Sequence, residues 1–379
     1  MADVEEDLLP DSEVDFPPDF KDYIEMELKY SRLESSDKLG IRWVFWNRQD
    51  DANAESGEEQ LGLPGRVFLR GFPESTPDVK YYTLKEYPQR DLALRCGIKE
   101  SWALPVFENS SHTCVGVLEL ACLSGYDASE YWYDEDFLGL MYDIFQEFGL
   151  QCFDGHKLCK MQYRDTNKAL TAAYWELKMA YESACKIHNL PLALTWVSCR
   201  SFSDLLQCQF QFSFPYHRDK DNCDLWSWNL HDFMEVSKVC HLRKGQLNGR
   251  ILPFPNLLYC SDVKQFNIVE SPLVPYARYC RLGGCFTMCL QSSYTGDELY
   301  MLEFFLPASN ENDGNILTRL RLILDTMEEC FKTFKLASGQ EWGELLSVEV
   351  IDFQNDRKSH SIQMIPDSQL LDFFLVLDP

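Results

Sequence analysis

A duplicated α+β fold is what the sequence predicts: an antiparallel sheet with helices packed against one side, built twice along the chain. Three observations carry the prediction. The chain has 379 residues, 45% of them hydrophobic and 14% aromatic, which is too long for one ordinary domain and rich enough for two cores. A constant offset of 184 residues, that from Leu63 to Leu247, aligns two stretches without a gap. Helical and strand periodicities then alternate in an order that fits a sheet with helices segregated on one face.

The offset relates Leu63, Gly65 and Arg66 to Leu247, Gly249 and Arg250, and Asp78-Val79-Lys80 to Asp262-Val263-Lys264. It also relates Glu86 and Pro88 to Glu270 and Pro272, Ala93 and Cys96 to Ala277 and Cys280, and Leu118-Glu119 to Leu302-Glu303. About a dozen identities over roughly 58 positions is about three times what chance pairing of this composition gives. The period far exceeds the roughly 20 to 50 residues of a solenoid repeat, so two separate folds are expected rather than a superhelix.

Along the chain, residues 1–19 are acidic and carry Pro10, Pro17 and Pro18, the composition of a disordered arm. Residues 20–155 hold the first copy. Moving the second copy's opening helix back by the same offset places it before Met1, so the first copy is N-terminally incomplete: it lacks that helix or replaces it with Phe20 to Ser31. Asp50 to Glu59 reads as a solvated loop. Ser101 to Phe107 and Cys114 to Leu120 form a hairpin, and Phe137, Leu140, Met141, Ile144, Phe145 and Phe148 the stripe of a closing helix.

Residues 160–337 hold the fuller second copy. A helix across 164 to 188 follows from Leu170, Ala173, Tyr174, Leu177, Tyr181, Ala184, Cys185 and His188 at steps of three and four, and Leu190-Pro191 stops it. Leu192 to Cys199 alternates as a strand, with Gln209 to Phe214 its partner. A helix near Leu230, Phe233, Ser237 and Cys240 leads to a short strand at Arg250-Ile251-Leu252. An irregular stretch with Pro253, Pro255, Pro272 and Pro275 precedes strands at Cys285 to Gln291 and Tyr300 to Leu306, joined by a turn with Thr295-Gly296-Asp297. A last helix runs from about Ile316 to Phe334. Residues 338–379 form a tail ending in the apolar run Leu370 to Leu377, either a strand packed on the second domain or the product of a shortened reading frame.

The net charge of -25, from 60 acidic and 35 basic residues, repels nucleic acid and anionic membranes, so neither is an expected partner. A small anion remains compatible, because a pocket answers to local donors. Fifteen cysteines without paired spacing point to a reducing compartment. The acidic N-terminus lacks the character of a leader, and no apolar run approaches the roughly 18 residues of a bilayer span, so nucleus or cytoplasm is the expected location.

Gly62-Leu63-Pro64-Gly65-Arg66-Val67-Phe68, with Pro73 to Val79 and Glu86-Tyr87-Pro88, resembles the first conserved block of the NIN-like proteins of plants. Leu190-Pro191-Leu192-Ala193-Leu194-Thr195-Trp196-Val197 resembles the opening of their GAF-like domain, and Ser293 to Gly296 with Leu302 to Pro307 its final hairpin. The similarity covers roughly residues 60 to 350. What it implies is a tandem GAF-like, α+β sensory region from a family of nitrate-responsive transcription factors that also carry an RWP-RK DNA-binding domain and a PB1 interaction domain. No Arg-Trp-Pro-x-Arg-Lys sequence occurs here, Pro275-Tyr276-Ala277-Arg278 stands where the family tends to place paired histidines, and Arg200 to His217 departs from its Cys-rich segment.

No phosphate loop, His-Glu-x-x-His or Gly-x-Ser-x-Gly occurs, so the expectation is a non-enzymatic protein without a cofactor. Cys280, Cys285 and Cys289 are a poor metal set, since Cys285 and Cys289 lie about 13 Å apart on one strand. A planar, weakly basic anion such as nitrate needs N–H donors in a partly dry cleft, and Trp196, Arg250 and Arg278 are the candidates. Each also has a structural reading: Trp196 as core, Arg250 fastening a loop through Glu303 or Asp262, Arg278 exposed. Leu317, Leu320, Leu324, Met327, Phe331 and Phe334 form a seam, either covering the chain's own sheet or joining a homodimer or a heteromer with related transcription factors. The expected role is regulatory: sensing a small anion, or acting as an interaction module that competes with full-length relatives.

Overall fold

A computed structural model describes residues 39–44, 58–123, 143, 145–152, 168–198, 208–217, 225–237, 240–243, 257–296, 298–307, 316–353 and 358–364. The chain divides into two compact units, Met1–Asp154 and Gly155–Pro379.

In unit 1, strand β1 (Leu39–Val44) is followed by helix α1 (Gly62–Arg70), β2 (Glu74–Thr76), helix α2 (Arg90–Arg95), β3 (Ile98–Glu108), β4 (Cys114–Leu123) and β5 (Leu150–Cys152). The sheet order is β1-β4-β3-β2, with β5 also on β3. Helix α1 stops at Gly71, whose φ of 69° suits glycine and returns its N–H to the Val67 carbonyl at 2.8 Å. Trp102, Leu104, Val106, Leu118 and Leu120 fill the core.

Unit 2 opens with α3 (Lys168–Ile187), β6 (Leu192–Ser198), β7 (Cys208–His217), α4 (Leu225–Ser237), β8 (His241–Arg243), β9 (Leu257–Cys260) and α5 (Val274–Tyr279). It continues with β10 (Cys285–Ser292), β11 (Leu299–Phe305), α6 (Ile316–Cys330), β12 (Phe334–Leu336), β13 (Leu346–Asp352) and β14 (Lys358–Met364). The sheet order is β14-β13-β9-β10-β11-β6-β7-β8, with β12 on β10. Helix α3 ends because Asn189 takes φ 56° and lets Leu190 N–H reach back to the Cys185 carbonyl at 3.0 Å. Ala173, Leu177, Ala180, Tyr181 and Ala184 of α3 meet Leu320, Ile323, Leu324 and Met327 of α6 over Phe286, Met288, Leu302 and Phe304.

Several expectations change. The sheet of unit 2 is mixed rather than antiparallel, since β13 runs parallel to β9 with Val348 opposite Leu257. Helices cover both of its faces: Phe304 points into the α3–α6 layer, whereas Phe305 meets Phe233 of α4 at 5.4 Å, and Phe233 in turn meets Tyr276 of α5 at 6.4 Å. The last helix ends at Cys330, and Phe334 lies on β12. The supposed seam is internal, with Leu320, Leu324, Met327, Phe331 and Phe334 buried in the unit's own core, so burying them there competes with any role between chains. Part of the tail, β13 and β14, extends the sheet. The Arg250–Leu252 strand, the Phe20–Ser31 helix and the Leu370–Leu377 run lie outside the described residues, and the offset counterparts Arg66 to Phe68 are helical.

The offset extends into hydrogen-bond detail. Glu74, Ser75 and Thr76 pair with Ala103, Trp102 and Ser101, and their counterparts Leu258, Tyr259 and Cys260 pair with Thr287, Phe286 and Cys285. Val106 pairs with Cys152 as Leu290 does with Leu336. Asp78 caps a 3-10 turn through Lys80 N–H at 3.0 Å, and Asp262 caps its counterpart through Lys264 N–H at 3.1 Å. Thr83 N–H donates to Glu86 at 2.7 Å, and Asn267 N–H to Glu270 at 3.0 Å.

Candidate ligand site

Across one face of unit 1, cross-strand pairing sets Glu74, Ala103 and Glu119 in a row over β2, β3 and β4. The matching row in unit 2 is Leu258, Thr287, Glu303 and Leu194 over β9, β10, β11 and β6. Alternation puts the side chains of the unit 2 row on the face away from the α3–α6 core. The candidate chemistry of each unit belongs to the sheet face that carries its own row.

Arg66 of α1 is fully buried. Its Nε and Nη2 donate to the two carboxylate oxygens of Glu74 at 3.0 and 2.6 Å, and Nη1 donates to the Glu59 carbonyl at 3.0 Å and to the Glu86 carbonyl. Burial pulls the guanidinium pKa down, but the Glu74 charge and hydrogen bond outweigh it and leave it above the usual value. Glu74 also accepts from the Tyr82 hydroxyl at 3.0 Å and lies 3.7 Å from Arg70. A planar fork thus grips a planar oxyanion, with one hydroxyl donor and the Arg70 charge beside it.

In unit 2, Trp196 is fully buried and its Nε1–H donates to Glu303 Oε2 at 3.0 Å, across 107 residues of sequence. Thr287, directly opposite Glu303, is also fully buried. Arg278 of α5 is half-buried and donates to the Lys264 and Phe266 carbonyls at 3.1 and 2.7 Å, fastening the 3-10 turn. The carbonyl of Tyr82, the counterpart of Phe266, is held in unit 1 by Arg90 at 3.0 Å. Of the three expected anion donors, Trp196 and Arg278 serve separate partners, and Arg250 lies outside the described residues. Sequence reasoning missed Glu74, Tyr82 and Thr287, although the mismatch of Glu74 with Leu258 is readable from the offset.

The buried thiols are poor nucleophiles. A hydrogen bond with Cys260 and complete burial push the Cys285 thiol well above its usual range, and burial lifts Cys289 to about 12. Among the described residues, no group of three or more His, Cys, Asp or Glu is placed to hold a metal ion, and no helix is long and apolar enough to cross a membrane.

Residues 164–335, from α3 into β12, match the family model described as the NLP protein GAF domain. The chain is 35% identical to Protein NLP7 of Arabidopsis thaliana over 320 residues, covering 80% of this chain and 32% of that protein. It is 33% identical to Protein NLP6 of the same plant over 316 residues, covering 80% and 37%. The chain is similar to the N-terminal region of the NIN-like proteins. A further NIN-like relative, Protein NLP3 of Oryza sativa subsp. japonica, is 33% identical over 310 residues, 76% of this chain and 31% of its own length. The chain thus spans about a third of the NIN-like proteins it matches and corresponds to their N-terminal region, with the GAF domain in unit 2.

Proposed function

We propose that the chain is a non-enzymatic regulatory module built from two copies of one GAF-like fold, in which unit 2 senses nitrate or another small anion on behalf of transcription regulation in the nucleus. The match of residues 164–335 to the NLP protein GAF domain carries this reading. The shared registers and capping bonds at the 184-residue offset support the two-copy part. The fork made by Arg66 supports the anion part, because it displays how the arginine of this module's Gly-Arg pair grips a planar oxyanion; Arg250 occupies the same sequence place in unit 2. Arg278 shapes the adjoining turn, and Trp196 lines the same face. Titration calorimetry with nitrate, chlorate, phosphate and chloride tests the reading. Heat for nitrate above the chloride control that disappears in Arg250→Met supports it, and equal heats for all four anions remove it.

A second reading, a docking module that pairs with itself or with full-length relatives, is favoured by a specific surface. Trp175 and Met179 of α3, four residues apart on one side of the helix, are both 59% exposed, an apolar pair facing away from the core. Light scattering separates the two readings. A dimer mass that falls to monomer in the double variant Trp175→Glu, Met179→Glu supports self-pairing, and a monomeric parent rules it out.

A further inference from the structure

We propose that the Arg66 fork of unit 1 is an oxyanion site that the chain fills with its own Glu74 carboxylate, so that unit 1 is permanently liganded and any response to an anion is left to unit 2. The inference rests on the two-copy reading above. Three groups converge on Glu74: the Arg66 fork at 3.0 and 2.6 Å, the Tyr82 hydroxyl at 3.0 Å and Arg70 at 3.7 Å. That is the donor shell of a bound carboxylate, formate or nitrate, all planar anions with oxygens spaced for a guanidinium. Arg66 is 0% and Glu74 6% exposed, so solvent ions do not compete for the slot.

The offset shows what the second copy does with the same positions. Glu74 becomes Leu258, Tyr82 becomes Phe266 and Arg70 becomes Phe254, while Arg66 persists as Arg250 and Glu86 as Glu270. Leu258 sits in the same register against β10 as Glu74 does against β3, so it is the positional replacement and not a neighbour. The carboxylate, its hydroxyl donor and the neighbouring cation are lost together, and the arginine is kept. A set that disappears as a group and leaves its centre behind behaves as a ligand with its shell, not as scattered scaffold contacts. In unit 1 the buried guanidinium is neutralised by Glu74, and burying such a charge without a counter-charge is strongly unfavourable; the second copy carries no acid at the position of Glu74.

Chemical rescue in the full chain tests the proposal. Glu74→Ala should lower the thermal midpoint of unit 1 by about 10 °C. Sodium formate or nitrate should restore a few degrees relative to sodium chloride at equal ionic strength, because an ion that binds only the folded state stabilises it. The wild-type chain should show no such formate effect, and Glu74→Ala with Arg66→Met should lose the rescue. Equal midpoints in formate and chloride for folded Glu74→Ala overturn the proposal. If that variant does not fold in chloride, refolding yield from urea replaces the midpoint: a higher yield in formate supports the site, and equal yields overturn it. Rescue is read on unit 1, whereas nitrate heat lost in Arg250→Met is read on unit 2, so the two ideas fail separately.

Discussion

Gly284 packs so closely beneath the neighbouring strand that a Cβ there would collide with the Cys260 carbonyl and press on the Ser261 carbonyl at 3.2 Å. Both obstacles are backbone, which cannot rotate away. Gly284→Ala is expected to destabilise unit 2 by about 1–3 kcal/mol, while Gly343→Ala, with nothing within 4 Å, should leave it within about 0.5 kcal/mol of wild type; urea midpoints of the two variants check this. At Trp196 the energetic issue is a donor. Trp196→Phe withdraws the N–H from a carboxylate that is 3% exposed, and about 1–3 kcal/mol should be lost. A double-mutant cycle with Glu303→Gln should return a coupling of about 1 kcal/mol, and a coupling near zero would mean that packing alone places the indole. Period-two alternation made Trp196 legible as a strand residue facing inward. Its partner was not legible, because Glu303 is brought beside it only when β6 pairs with β11.

Helices α3 and α6 are joined at their edge by His188 Nε2 and Thr326 Oγ1, 2.7 Å apart. Burial first, then the nearby Arg319 charge, holds the His188 pKa below its usual 6.5. The unfolded chain therefore takes up a proton more readily than the folded one. This contribution to stability is complete above about 6.5 and is lost as pH falls through the lower folded value. Between pH 7 and pH 5 the thermal midpoint of the wild type should fall further than that of His188→Gln, and parallel falls would show that the imidazole does not titrate against the fold. Element type was readable wherever a stripe was long, as in α3, and the stop after His188 was foreseen although Asn189 rather than proline makes it. The end of α6 was misplaced because Phe331 and Phe334 continue the three-and-four spacing. The Lys332 and Thr333 N–H groups instead donate to Glu176 of α3 at 2.6 and 2.7 Å, a cap from another helix that turns the chain into β12.

At the scale of the molecule, the match to the GAF model stops at residue 335, but the sheet of unit 2 does not. Strands β13 and β14 bury Leu346, Val348, Val350 and Met364 in the same core, and Trp342 packs on Phe331 at 5.8 Å. A chain ending at Ala337 would lose all five and leave β9 as an open edge. At about 1.5–3 kcal/mol for each large apolar side chain, that loss rivals the whole stability of an ordinary domain. Such a chain should aggregate or melt without a cooperative transition, whereas one ending at Ile365 should keep it; calorimetry on the pair decides, and equal transitions would make β13 and β14 ornamental. The sequence by itself determined the α+β class, the longer elements of the GAF region (α3, β6, β7, α4, β10, β11 and α6), the offset between the units and the kinship to NIN-like proteins, because periodicity, turn residues and repeated motifs are local in the chain; the short β8, β9, α5 and β12 were not read from it. Only the tertiary structure decided that β13 enters parallel beside β9, that helices lie on both faces, that Trp196 spends an N–H on Glu303 and that Glu74 fills the Arg66 fork. Those outcomes depend on which distant strands share an edge, and pairing energy accrues only once the chain has brought them together.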